Sequence, residues 1–255
     1  MTEKSDSPRV RRLCISVDLE RYSRWSSAEQ GTAQRGLDTV LDQISLNTQP
    51  PRSSWTRQPA GDGELAVLPP GVDEGAVISD FVRGLNAGLY RHNRPLNEHA
   101  RLRLRVAVHA GMTQVSELGF VGQAPVFVAR LRDCAQVRQV LSENPDADFA
   151  VVISQPLYDD HVGHEYPDFN AGSFRRIRVD MPEKDFVADA WVHVPLSPAP
   201  RMDAPPATKT ARTGQAPTDA TEPSASHNPG SSGVYVSGGT LTADVVAGRD
   251  YRAER

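Results

Sequence analysis

The sequence predicts an α+β fold built on a split βαβ, ferredoxin-like core with added strands and helices. Three observations carry this. Strand-like apolar runs and helix-period segments follow one another as β-α-β-β-α-β, then α-β and further strands, within residues 8–195. Two of the strand-like runs, "CISVDLE" and "AGDGELAV", carry an aspartate at an end or a turn. A Pro/Ala/Thr-rich stretch, 196–232, then separates this body from a short β-patterned segment, 233–251.

The elements follow from local pattern. "RRLCISVDLE" is apolar, partly β-branched and bounded by charge, so it reads as a buried strand ending near Asp18. Residues 26–47 set Leu37, Val40, Leu41 and Ile44 at helical spacing. "SSWTRQPAGDGELAVLPP" reads as strand, tight turn and strand, with Asp-Gly as the hairpin signal. Pro59 there predicts an irregular first arm. "DEGAVISDFVRGLNAGLYRHN" returns to helical period through Val77, Phe81, Leu85 and Leu89, with Asp73 as its cap. "RLRLRVAVHAGM" alternates and then turns fully apolar, a strand passing from half-exposed to buried. "APVFVARLRDCAQVRQVLSEN" reads as one helix and "DFAVVISQ" as a strand; "SFRRIRVD" and "DFVADAWVHV" form a closing β pair.

Composition narrows the function. Net charge is −4, and no face-like block of Lys or Arg stands out, which argues against a nucleic-acid partner. No apolar stretch reaches membrane-span length and the N-terminus lacks a signal-type apolar region, so a cytoplasmic protein without a membrane partner is expected. Cys14 and Cys134 lack metal-ligand spacing and read as core fillers in a reducing compartment. The 196–232 stretch has too little apolar surface to offset chain entropy and reads as a disordered linker.

Two chemistries remain open for the aspartates. Asp18 and Asp62 either begin tight turns, or meet across neighbouring strands to hold a divalent metal.

The local text resembles the catalytic domain of class III nucleotide cyclases, over about residues 11–195. "VDLERYS" resembles the family's first-strand motif and "GDGELAV" its central hairpin. "RVAVHAGM" is similar to its Arg-x-x-x-His-x-Gly strand through Arg105, His109 and Gly111, and "GQAPVFVARLRDCA" to its Gly-containing loop and following helix. The resemblance implies a palm-type core that turns a nucleoside triphosphate into a cyclic mononucleotide. It implies two Mg²⁺ or Mn²⁺ ions on Asp18 and Asp62, and Arg130 as the catalytic arginine that reaches the triphosphate. It also implies Gln58, Gly61 and Gly63 beside the substrate, and a head-to-tail homodimer in which acids and arginine come from different chains. His109 is expected to be a hydrogen-bonded strand residue.

Three positions depart from the family pattern. Gln58 stands where the purine-selecting lysine belongs, Gly119 where its polar partner belongs, and Val126 where a transition-state asparagine belongs. Pyrimidine cyclases of bacterial antiphage signalling resemble this pattern, which points to UTP or CTP. The alternative is an inactive nucleotide-binding or scaffolding module in a bacterial signalling or conflict system. Residues 233–251 read as a short β-hairpin, loosely resembling Gly-rich tails of actinobacterial conflict proteins. Such a tail is expected to be a flexible end, or to add strands to copies of itself or to a protein partner's sheet edge.

Overall fold

Burial on both faces makes Val10–Leu19 (β1) a central strand: from Leu13 to Leu19 every residue is buried. Strand alternation sends Leu13, Ile15, Val17 and Leu19 to one side, and Cys14, Ser16 and Asp18 to the other. The computed structural model describes residues 8–45, 48–117, 119–162 and 170–195. After β1 come α1 (Ser27–Ser45), the hairpin β2 (Thr56–Ala60) and β3 (Gly63–Val67), and α2 (Glu74–Asn93). Next are β4 (Leu104–Ser116), β5 (Gly119–Val121), α3 (Gln123–Arg132), α4 (Ala135–Glu143) and β6 (Phe149–Ser154). The described chain closes with α5 (Gln155–His161), β7 (Phe174–Met181) and β8 (Phe186–His193). Asp73 caps α2 as expected, its carboxylate accepting from the Ala76 amide.

The sheet runs β2-β3-β1-β4-β6-β8-β7, with β5 paired to the far end of β4. Its first four strands are antiparallel neighbours, which is the ferredoxin-like split βαβ that the element order predicts. β6 adds parallel to β4, and the β8–β7 hairpin extends the sheet. Two cores form on its faces. α1 and α2 bury Leu37, Leu41, Phe81 and Leu85 against the odd-numbered side of β1. α3 and α4 bury Val128, Leu131, Val137 and Leu141 against Cys14, Ala107 and Val152. Among the described residues no helix is long and apolar enough to cross a membrane.

Four local expectations change. Pro59 sits in a regular strand, because β2 is the sheet edge and its missing amide costs no ladder bond there. The single long helix is two. Asp133 leaves the helical region and Cys134 is extended at φ −68°, ψ 151°, which starts α4 afresh. β5, at three residues, lies in what reads as a loop. The hairpin turn residues are Gly61 and Asp62, neither of them left-handed, and Gly63 is already strand. The expected linker at 196–232 and tail at 233–251 lie outside the described residues.

Candidate functional site

The acid pair assembles at one end of the central strands. In register, Asp18 faces Gly63 on β3 and Arg105 on β4. Both Asp18 and Arg105 fall on the α3 side of the sheet, since their strand neighbours Val17 and Val106 fill the α1/α2 core. Arg105 forks onto Asp18: Nε donates to Oδ1 at 2.9 Å and Nη2 to Oδ2 at 2.5 Å. From α3, Arg132 brings its Nε to 3.5 Å from Asp18 Oδ2. That guanidinium is held by Asp133 Oδ1 at 2.9 Å and by Ser16 Oγ at 3.1 Å. Asp18 is 2% exposed. Burial pushes its carboxyl up to about 6; Arg105 and Arg132 pull the other way, and the like charge of Asp62 adds to the rise.

Asp62 is brought to this acid by the backbone. The Leu19 amide donates to the Asp62 carbonyl at 2.7 Å, pinning the hairpin tip to the end of β1. Gly63 is required at the join: a Cβ there would lie 1.9 Å from the Val17 carbonyl oxygen and 2.7 Å from Asp18 Cα. The close neighbour that forbids a side chain at Gly63 is therefore β1. Gly61 has open space around it, and its carbonyl accepts from the Gln34 side chain. On the opposite face Glu64 is held by the buried Arg52 at 2.7 Å. That pair anchors the hairpin and has no counterpart in the motif text.

The two positions at which base selectors are expected also meet. A Cβ on Gly119 would lie 1.4 Å from the Gln58 side-chain nitrogen, and Gly119 has φ +116°. Gln58 thus lies across Gly119, on a backbone conformation that favours glycine. Arg130 is elsewhere. Two residues from Arg132, it points to another side of α3, its guanidinium carbon 5.3 Å from the Phe186 ring centre. It lines a cleft of about 400 Å³ with Gln123, Val126, Phe127 and Val187. Val126 and Val187 are 49% and 55% exposed. Within one chain the guanidiniums beside the acid pair are Arg105 and Arg132. Motif reading gave Arg105 no role and passed over Arg132, because its orientation depends on helix phase against the sheet.

His109 is a hydrogen-bonded strand residue, as expected. Its Nδ1 lies 2.9 Å from Ser154 Oγ, and its ring stacks on Phe127 at 4.1 Å between centres. Burial lowers its pKa to about 4. The unfolded chain therefore takes up this proton near the ordinary histidine value of about 6.5 while the native state resists. Stability should be complete above about 6.5 and fall as pH drops toward 4, by up to roughly 3 kcal/mol. Urea unfolding at pH 7.5 and 5.0 should show a smaller loss in His109→Gln than in the native protein. An equal loss would assign the effect to other groups. Cys14 and Cys134 are buried free thiols, and burial raises that of Cys14 to about 12, which suits core filling.

No family model matches this chain, and no curated protein matches it in sequence. Solved structures do. An adenylate/guanylate cyclase/hydrolase from Silicibacter pomeroyi is similar over 74% of this chain and 99% of its own, at 16% identity and TM-score 0.50. The guanylyl cyclase Cya2 is similar over 77% of this chain and 98% of its own, at 13% identity and TM-score 0.50. A bacterial light-regulated adenylyl cyclase is similar over 76% of this chain and 54% of its own, at 11% identity and TM-score 0.52. The fold is that of adenylate and guanylate cyclase domains. At these identities the likeness is one of fold.

The donor chemistry fits the implied metal. Among the described residues there is no group of three or more His, Cys, Asp or Glu that could hold an ion. Mg²⁺, however, is commonly held by one or two carboxylates completed by substrate phosphates. Asp18 and Asp62 supply such a pair.

Proposed function

We propose that this chain is a divergent nucleotidyl cyclase that converts a nucleoside triphosphate into a 3′,5′-cyclic mononucleotide and pyrophosphate. The reading is supported by one observation: on a cyclase fold, the hairpin tip that carries Asp62 is pinned to the end of β1 that carries Asp18, with Arg105 and Arg132 beside Asp18. In the reaction the ribose 3′-oxygen bonds to the α-phosphorus and loses its proton. The bond from that phosphorus to the oxygen leading to the β-phosphorus breaks. Divalent ions bound to Asp18 and Asp62 would supply Lewis-acid polarisation of the phosphates and the 3′-hydroxyl. The chain's own part is charge and position. Asp18 and Asp62 hold negative charge at the metal side, and Arg105 and Arg132, both engaged beside Asp18, fix the position and charge of that acid.

Arg130 completes this site from a second copy. Its cleft is rimmed by exposed Val126 and Val187, and Met112, Val115 and Val121 on the β4–β5 arm are 46–49% exposed. An apolar surface of that kind suits a homodimer that sets Arg130 against the partner's acids.

Base choice follows from Gln58 and Gly119. An amide carries both a donor and an acceptor, which suits a pyrimidine edge, and Gln58 fills the space over Gly119. UTP or CTP is therefore the expected substrate, with cyclic nucleotide signalling in bacterial defence as its setting. Initial rates with ATP, GTP, CTP and UTP plus Mn²⁺, with products resolved by liquid chromatography, test this directly. A cyclic pyrimidine product made faster than any purine product is expected. Purine preference would overturn the base assignment, and no cyclic product from any of the four would overturn the enzyme reading.

The second reading is an inactive nucleotide-binding module. The observation favouring it is that Arg105 and Arg132 already neutralise Asp18. It predicts nucleotide retention without turnover in the same assay.

A further inference from the structure

The cyclase reading asks Asp18 to serve two divalent ions, and its surroundings argue against that. A carboxylate has about four lone-pair positions. The Arg105 fork takes one on each oxygen, at 2.9 and 2.5 Å. Arg132 Nε stands 3.5 Å from Oδ2 as an ion pair, its hydrogen donated to Asp133. With the Arg105 contacts kept, each oxygen of Asp18 has one open position, and the one on Oδ2 lies beside the charge of Arg132.

Arg132 is not there by accident of a loose side chain. It is 18% exposed, and Asp133 and Ser16 both accept hydrogen bonds from it. Ser16 sits two residues before Asp18 on the same face of β1, so one strand presents both the acid and a support for the cation beside it.

We propose that Arg132 is a resident cation of the site. It fills, beside Asp18, the charge role that a second divalent ion would take, so each site binds one divalent ion rather than two. Arg132 acts here as a positioning residue: it fixes the charge beside Oδ2 of Asp18. The inference rests on the cyclase reading for the ion at the acid pair, and it goes beyond that reading in the number of ions and in what limits it.

Protein-bound Mn²⁺ counted by equilibrium dialysis, with inorganic triphosphate as the phosphate probe, tests it without requiring turnover. The native protein is expected to hold one Mn²⁺ per chain. Arg132→Gln removes the charge beside the open position on Oδ2, and is expected to hold two. It should also bind its first ion about tenfold more tightly, since a like charge has gone from within a few ångströms. Arg132→Lys keeps the charge and should stay at one. Circular dichroism checks that each variant folds, and the Lys variant alone carries the test should the Gln variant not fold: two ions in Arg132→Lys would sink the proposal. Two ions in the native protein, none in it, or one in a folded Arg132→Gln would each overturn it. The two readings fail separately. A count that follows Arg132 without cyclic product keeps the resident cation and removes the enzyme; product with a count indifferent to Arg132 does the reverse.

Discussion

Asp62→Asn is expected to lower turnover by at least about 10²–10³-fold while leaving the melting temperature nearly unchanged. The substitution removes one charge from a turn residue that is half-buried and whose structural contact is made by its backbone carbonyl. Asparagine keeps that carbonyl and the side-chain shape. Asp18→Asn should lose as much activity, with a different stability signature. It leaves Arg105 and Arg132 facing a neutral amide in a buried setting, and breaking a buried ion pair from one side costs about 3–5 kcal/mol. Asp62→Asn is therefore the cleaner probe of chemistry, and Asp18→Asn must be read against its own unfolding curve. Mn²⁺-dependent product formation, followed beside urea denaturation for both proteins, separates the two effects. Native-like turnover in a folded Asp62→Asn protein would remove Asp62 from the site.

The fold was legible because its signals are local and strong. The apolar run to Asp18, the helical spacing through Leu85 and Leu89 and the Asp73 cap each follow from period and end chemistry. What escaped was phase-neutral or short. Val128, Leu131, Cys134, Val137 and Leu141 are all buried and keep near-helical spacing across the break at Cys134, so the pattern gave no sign that one helix had become two. β5 spans three residues and carries no alternation to detect.

The site divides the same way. Asp18, Asp62 and the Gln58–Gly119 pairing lie within short motifs, so their adjacency could be expected before any coordinates. Arg105 beside Asp18 depends on the β1–β4 register, and the "RLRLRVAV" alternation predicts only that it faces away from Leu104 and Val106. Arg132 depends on how α3 is rotated over the sheet, and helix phase against a particular strand is not written in the helix alone. The ion pairs of Asp18 are thus long-range in sequence, 87 residues to Arg105, and that distance hid them.

Mixing two inactive proteins should restore activity. Asp62→Asn lacks the acid, and Arg130→Ala lacks the guanidinium that would reach the triphosphate; each alone is expected to be inactive. Arg130 is directed at Phe186 in a cleft rimmed by exposed valines, whereas Arg105 and Arg132 accompany the acids of the same chain. A guanidinium so placed can serve an acid pair presented by a second copy. In a head-to-tail dimer of the two variants, one site combines both defects. The other joins intact acids from the Arg130→Ala chain to intact Arg130 from the Asp62→Asn chain. With random pairing of equal amounts, half the dimers are mixed and each holds one competent site of two, so about a quarter of native turnover should return. Subunit exchange must be shown independently, for example by co-purification of differently tagged chains. If exchange occurs and turnover stays absent, the site lies within one chain or is not catalytic, because no arrangement of intact residues across the interface would have been lacking. Arg130→Ala should also cost little stability, since its ring contact with Phe186 is worth about 0.5–1 kcal/mol at a partly exposed position. A large loss of stability in that variant would mark Arg130 as a structural residue and remove the reason to expect rescue.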